Sequence, residues 1–246
     1  MVKKVLMSVI VLMMCSPVAA ESIATNINST PDPTVPIKHI GVYVTPYYQS
    51  ADSSDGRPTV QVAKAFDDQL ASNKIDDILA VRDAIQAKPQ RTTPMTLMVL
   101  AIRLYDVGLR DDAVFWFYAA KNRYITMSDV LDVNSASLSQ AGEAVKAFAV
   151  LAGPFINSYA FCDIAKQRDA SARSISWVEQ NPYEVMFMEQ LPALPGNRTE
   201  NLKKSISSIK ERALMEQEYF DEPKNKEEFQ KKRKEQHVVE QFCWAA

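Results

Sequence analysis

Apolar residues recur at steps of three and four along most of the chain from Val60 onward, the period that lines one face of an α-helix. Residues 60–71 place Val62, Phe66 and Leu70 on one face, and 74–87 repeat the scheme with Ile75, Ile78, Leu79 and Ile85 until Lys88 and Pro89 end it. The clearest start signal follows: Thr93 as N-cap, Pro94 at the first helical position, then an apolar run that stops at Gly108. Asp111 and Asp112 then sit where the positive end of a helix dipole favours acids, opening a helix that runs to about Tyr124. A helix is predicted over 137–152, with Ser137 or Ser139 as its cap and Ala144, Phe148 and Leu151 facing inward. Gly153 and Pro154 either end it or kink it into a helical stretch over 155–180. The last helical region begins near Thr199 and includes the charge run 221–236, read as a solvated face. Val239, Phe242 and Cys243 then form a small apolar stripe placed to dock back onto the domain.

Upstream, the segment HIGVYVTPYYQ at 39–49 alternates only partly and is cut by Pro46. It reads as one short strand or as an extended stretch lying across the domain. The expected fold class is all-α, an irregular helical bundle or a set of helical hairpins, with at most one or two short strands near the N-terminus. Glycine usage points the same way: the 246 residues hold 6 glycines, where average usage gives about 17, and tight-turned sheets consume glycine.

The stretch YDVGLRDDAVFWFYAAKNRY at 105–124 raises the question of whether its rings do chemistry or pack. Around Gly108, Ala101 lies seven residues before and Leu104 four before; Ala113, Phe117 and Ala120 lie five, nine and twelve after. Small residues at such positions let two helix backbones touch, and larger ones fill the gap beside them. This spacing resembles a tetratricopeptide-type helix pair, and DDAVFWFYAAK resembles the second helix of Sel1-type repeats. The resemblance covers one hairpin, residues 94–124, and Leu97 stands where the repeat's first helix usually has an aromatic ring. It implies that Met98, Ile102 and Tyr105 lie on the face such proteins turn toward a partner; separately, consecutive rings on a helix point in different directions, which leaves Trp116 or Tyr118 for a rim with its polar handle wet. The residue pattern supplies a competing reading. TLMVLAIRLY is apolar almost all round, as central core helices are, and Phe117 should then point to the core.

The first twenty residues alter the picture. Lys3 and Lys4, an apolar run from Val5 to Cys15, Pro17, and the small residues Val18 and Ala20 make the three-part layout of a secretory signal cut after Ala20. The expected address is periplasmic or secreted. Removing the segment leaves 26 basic against 30 acidic residues, a balance of −4 with no dominant basic patch, so nucleic acid is not an expected partner. No later stretch is long and apolar enough for a membrane span. Two cysteines survive such a cut, Cys162 and Cys243, in an oxidising compartment. They read either as a bridge tying the tail to the middle of the domain or as two separate buried thiols. The organisation expected is thus a signal at 1–20, a flexible leader with an extended segment at 21–58, a helical core at 59–198, and a C-terminal helical region with a charged tail at 199–246.

Candidate chemistry is sparse. The histidines, His39 and His237, lie at opposite ends, and no GxSxG string, zinc spacing, nucleotide cradle or EF-hand loop occurs. No cofactor or metal is expected. Adjacent acids such as Asp67–Asp68 and Asp76–Asp77 diverge by about 100° per residue on a helix and serve its dipole. Asp163, flanked by Phe161 and Ile164, needs a partner, for which Arg168 and Arg173 are candidates. These observations lead to an exported protein that binds a protein partner without catalysis, either an immunity-type protein against an envelope-targeted toxin or an assembly scaffold. The alternative is a periplasmic glycan hydrolase, which needs two acids facing each other across a cleft at about 5–9 Å.

Overall fold

The computed structural model describes residues 33–45, 47–49 and 58–244. The expected signal at 1–20, most of the expected leader and nearly all of the 50–58 loop lie outside the described residues, as does Pro46. Nine α-helices occur among the described residues: α1 (Asp67–Ala71), α2 (Ile75–Ala87), α3 (Pro94–Asp106), α4 (Arg110–Val130), α5 (Ser139–Ala160), α6 (Ile164–Gln180), α7 (Arg198–Asp221), α8 (Pro223–Glu235) and α9 (Val238–Phe242). Short 3-10 turns at Pro89–Arg91 and Glu184–Phe187 join them, and no helix here is long and apolar enough to cross a membrane. The fold is all-α. Two isolated bridges, Tyr48 with Val60 and Leu131 with Ala193, are the β-type pairings among these residues.

The α3–α4 hairpin forms as its local signals require. Thr93 accepts a hydrogen bond from the Thr96 amide, and Pro94 occupies the first turn. At the other end the Gly108 amide donates to Tyr105 O and the Leu109 amide to Leu104 O, a Schellman motif that satisfies carbonyls left over at the helix end. Gly108 has φ +89° and is exposed, and a Cβ there would meet nothing within 4 Å. Its smallness therefore answers a left-handed backbone, not the approach of two backbones. Ala101, Ala113 and Ala120 are fully buried, as expected of contacts between close-packed helices. α4 is the central rod and packs against α3, α5, α6 and α7.

Several predicted boundaries move, each for a local reason. The helix expected over 60–71 begins only at Asp67, because the Asp67 carboxylate accepts from the Val62 and Ala63 amides and holds the chain in an irregular entry. α5 runs unbroken through Pro154, whose ring faces solvent. The N–H that proline lacks would have bonded the carbonyl of Val150, itself exposed, so water can take that place. Gly153 is buried with the Phe117 ring only 3.5 Å from where a Cβ would stand. Neither Ser137 nor Ser139 caps α5, which begins without a side-chain cap. The stretch 155–180 splits at 161–163, where Asp163 caps α6 through the Ala165 and Lys166 amides. Asp163 is exposed, so neither Arg168 nor Arg173 pairs with it; these go to Asp221 and Asp169.

The N-terminal segment lies extended across the domain, with Ile40, Val42 and Val44 buried in alternation and the Ile40 amide donating to Asp106 Oδ1. A second small core of Met127, Val130, Leu131, Tyr183 and Met186 seats the 181–197 connection against the end of α4. Arg198 clasps that connection by donating to the carbonyls of Met186, Met188 and Leu191. Arg123 is fully buried and donates to the carbonyls of Pro89, Thr92 and Asn181 while its guanidinium lies 4.4 Å from the Trp177 ring centre. Burial lowers its pKa, and those three acceptors offset the lost hydration. Arg123→Met should therefore lower unfolding free energy by about 3 kcal/mol or more in urea titration, since two buried carbonyls and one partly buried one lose their donor. Arg91→Ala, removing an ion pair whose arginine is 83 % exposed, should change it by less than about 1 kcal/mol.

Candidate functional site

The five residues expected to face a partner are all buried: Met98, Ile102, Tyr105, Trp116 and Tyr118 belong to the main core. Trp116 is no rim residue; its ring meets Trp177 and Phe115 edge-on, in a cluster formed between α4 and α6. Tyr118 receives a long 3.4 Å contact from Gln167 Nε2. Tyr105 is covered by the N-terminal segment and by α5. Its hydroxyl donates to Ile37 O at 3.0 Å, its ring meets Tyr159 edge-on, and burial pushes its pKa up to about 12. An apolar helix at the centre of a bundle has neighbours on every side, which is why the repeat-like face is filled here.

What fills it is a closure built around Arg110. This buried side chain donates to Trp244 O at 3.0 Å and Phe242 O at 3.4 Å, with the Trp244 ring at 3.9 Å and the Tyr159 ring at 4.5 Å from its guanidinium carbon. Phe242 packs edge-on to Phe155, and the Ile37 amide donates to Gln241 O, so the tail and the N-terminal segment hold each other down. Val239, expected to dock with Phe242, remains partly exposed because α9 is only five residues long. His237, at φ +55°, makes the left-handed turn that reverses the chain from α8 into α9.

A disulfide between Cys162 and Cys243 locks the closure. Arg233 on α8, buried, donates to Ser158 O at 2.7 Å and places the same nitrogen 3.3 Å from Cys243 Sγ. Sequence reasoning missed Arg110, Arg233 and Trp244. One signal was available for the first: a basic residue in the first turn of a helix opposes the helix dipole, so Arg110 needed a reason outside its own helix.

A polar seam lies at the crossing of α4, α6 and α7, where Gln167 Nε2 donates to Glu216 Oε1 at 2.8 Å. Burial pulls Lys121 below the usual ammonium range, while the Glu216 carboxylate acts in the opposite sense. The two clearest surface depressions, about 270 and 310 Å³, flank α7. Each is lined by one acid that is already engaged: Asp129 accepts from the Ser205 hydroxyl, and Glu179 pairs with Lys210. Neither presents two facing carboxylates. The outer face of α7 carries Leu214 and Met215, 56 % and 48 % exposed.

Asp111 joins α4 to the closure: it accepts from the Tyr159 hydroxyl at 2.6 Å and pairs with Lys166 at 3.0 Å, and the Tyr159 hydrogen bond holds its carboxyl below the ordinary range. Stability from this group is present above the ordinary carboxylate pKa of about 3.9 and is lost as pH falls through the lowered folded value. Tyr159→Phe should flatten the acid limb of the stability–pH curve followed by urea unfolding. Removing residues 244–246 should speed amide exchange at Ile37, bonded to the tail region, by about tenfold or more, and leave Ile40, bonded to Asp106, unchanged; NMR exchange rates check both.

No family model matches the chain, and no solved structure matches it. The chain is 38 % identical over 209 residues, 85 % of its length and 80 % of the relative's, to an uncharacterized protein of Haemophilus influenzae (strain ATCC 51907 / DSM 11121 / KW20 / Rd).

Proposed function

The chain belongs to the family of the Haemophilus influenzae protein, and on that premise we propose an exported helical protein that binds a protein partner without catalysing a reaction, as an immunity-type protein against an envelope-targeted toxin or as an assembly scaffold. The observation that carries the non-catalytic reading is the employment of the acids. Asp67 stabilises an entry, Asp163 caps α6, Asp106 pairs with Arg103, Asp111 and Asp112 tie α4 to Lys166 and Arg82, and Asp221 holds Arg168. Carboxylates fixed in such contacts make poor general acids or bases. Export is supported by the lysine-led apolar segment at 1–20 together with the disulfide, a bond that persists in oxidising compartments. The Schellman turn at Gly108 and the buried alanines of α3 and α4 support a tetratricopeptide/Sel1-type relation for the hairpin.

With the inner face of that hairpin filled, partner contact falls to the outer surface, where Leu214 and Met215 stand together between Glu211 and Glu218 on α7. Two exposed apolar side chains set among charged ones, about 100° apart round the helix, are candidates to anchor an interface. In living cells, a photo-crosslinking residue at position 215 should yield one defined protein adduct, while one at Val150, 69 % exposed on α5, should yield none. Leu214→Lys should abolish the adduct without moving the melting temperature. Equal adducts at both positions, or none at 215, would reject this surface. Mature protein sequenced from the same cells should begin at Glu21.

A further inference from the structure

We propose that the Cys162–Cys243 disulfide is an exchangeable latch, with Cys162 as the sulfur attacked by an incoming thiolate of a dithiol reductant and Cys243 as the leaving sulfur. Three observations place these roles. Cys162 is exposed at the joint between α5 and α6, whereas Cys243 is half-buried at the end of α9. Disulfide exchange requires the nucleophile to reach one sulfur in line with the bond, so the exposed sulfur is the one attacked. The Arg233 guanidinium lies nearer to Cys243 Sγ, 3.3 Å, than to Cys162 Sγ, 3.6 Å. A cation beside a departing sulfur stabilises its thiolate, and a leaving group of lower pKa departs faster. Arg233 is itself held in place by Ser158 O and by packing with the Phe229 ring, so the cation is positioned before the reaction begins.

The exchange balances in two steps. The first thiolate of the reductant bonds to Cys162 Sγ as the S–S bond breaks, and the electron pair of that bond leaves on Cys243 Sγ, which later takes a proton. The reductant's second thiol then attacks its own sulfur in the mixed disulfide and releases Cys162 as a thiolate that is protonated in turn. Two electrons and two protons pass from the dithiol to the protein, and the reductant departs as a disulfide. Opening the latch leaves the tail held by noncovalent contacts, among them those of Arg110, the Lys38–Trp244 ring contact, the Phe155–Phe242 ring pair and the Ile37–Gln241 hydrogen bond. The surface that the tail would uncover contains Arg110 and Tyr159 over Tyr105.

The oxidised mature chain is mixed with reduced glutathione, which lacks the second thiol of a dithiol, and is quenched with acid at the earliest times, before Cys243 or a second glutathione resolves the adduct, then mapped by mass spectrometry. The glutathione adduct should reside on Cys162 in at least tenfold excess over Cys243. Arg233→Gln should slow adduct formation roughly fivefold and Arg233→Lys should restore most of the rate, while full reduction by dithiothreitol should raise amide exchange at Ile37 with Ile40 unchanged. Site mapping on the unaltered chain decides the matter even if the variants fail to fold. Adducts on Cys243 as often as on Cys162, or a bond that reacts only after denaturation, would overturn the proposal.

Discussion

Arginine forks on main-chain carbonyls hold this fold together. A chain built of helices and irregular joints leaves unpaired C=O groups at every helix end and turn, and burial makes each of them costly unless a donor arrives. Here the donors are guanidinium groups brought from distant parts of the sequence. Arg103 reaches the carbonyls of Leu70 and Ser72 while pairing with Asp106; Arg110 holds the tail, Arg123 three loop carbonyls, Arg198 the 181–197 connection, and Arg233 the end of α5. At Arg103, Arg110, Arg123 and Arg198 lysine would not substitute. The planar fork reaches two or three acceptors at once, is weakly hydrated, and stacks on rings, as Arg110 does on Trp244 and Arg123 on Trp177.

From this follows the closed character of the molecule. Because Arg110 takes its acceptors from the last described residues, the two ends of the described chain meet near the α3–α4 turn and the face beside Tyr105 becomes interior. The disulfide and Arg233 add a covalent and an electrostatic hold at the same place. A helical hairpin that would otherwise present an apolar groove is thereby converted into a core, and what remains outside is a mostly charged surface with isolated apolar residues. Any recognition of another protein works through that surface or through release of the tail.

The parts of the fold legible in advance were those set by neighbours in sequence. Thr93 and Pro94 open a helix, and Gly108 closes one, because capping and left-handed φ are decided within four or five residues. Elsewhere a distant or side-chain contact outweighed the period. Asp67 delayed α1 by gathering two upstream amides, Asp163 started a new helix where the apolar pattern ran on, and Pro154 left α5 continuous because its side of the helix faces water. The candidate partner residues lie in the core for a related reason: periodicity says that a residue is apolar-facing without saying whether that face meets solvent, a partner or another part of the same chain.

The amino-acid sequence by itself determined the helical class, the central hairpin and the existence of two cysteines outside the leading segment, since propensity, capping and composition act locally and need no knowledge of what lies across the domain. Tertiary structure alone decided that Cys162 meets Cys243, that Tyr105 is roofed by the N-terminal segment at Ile37, and which arginines serve which carbonyls. Such contacts join residues tens to more than a hundred positions apart, and their energies depend on burial and geometry that exist only once the helices have packed.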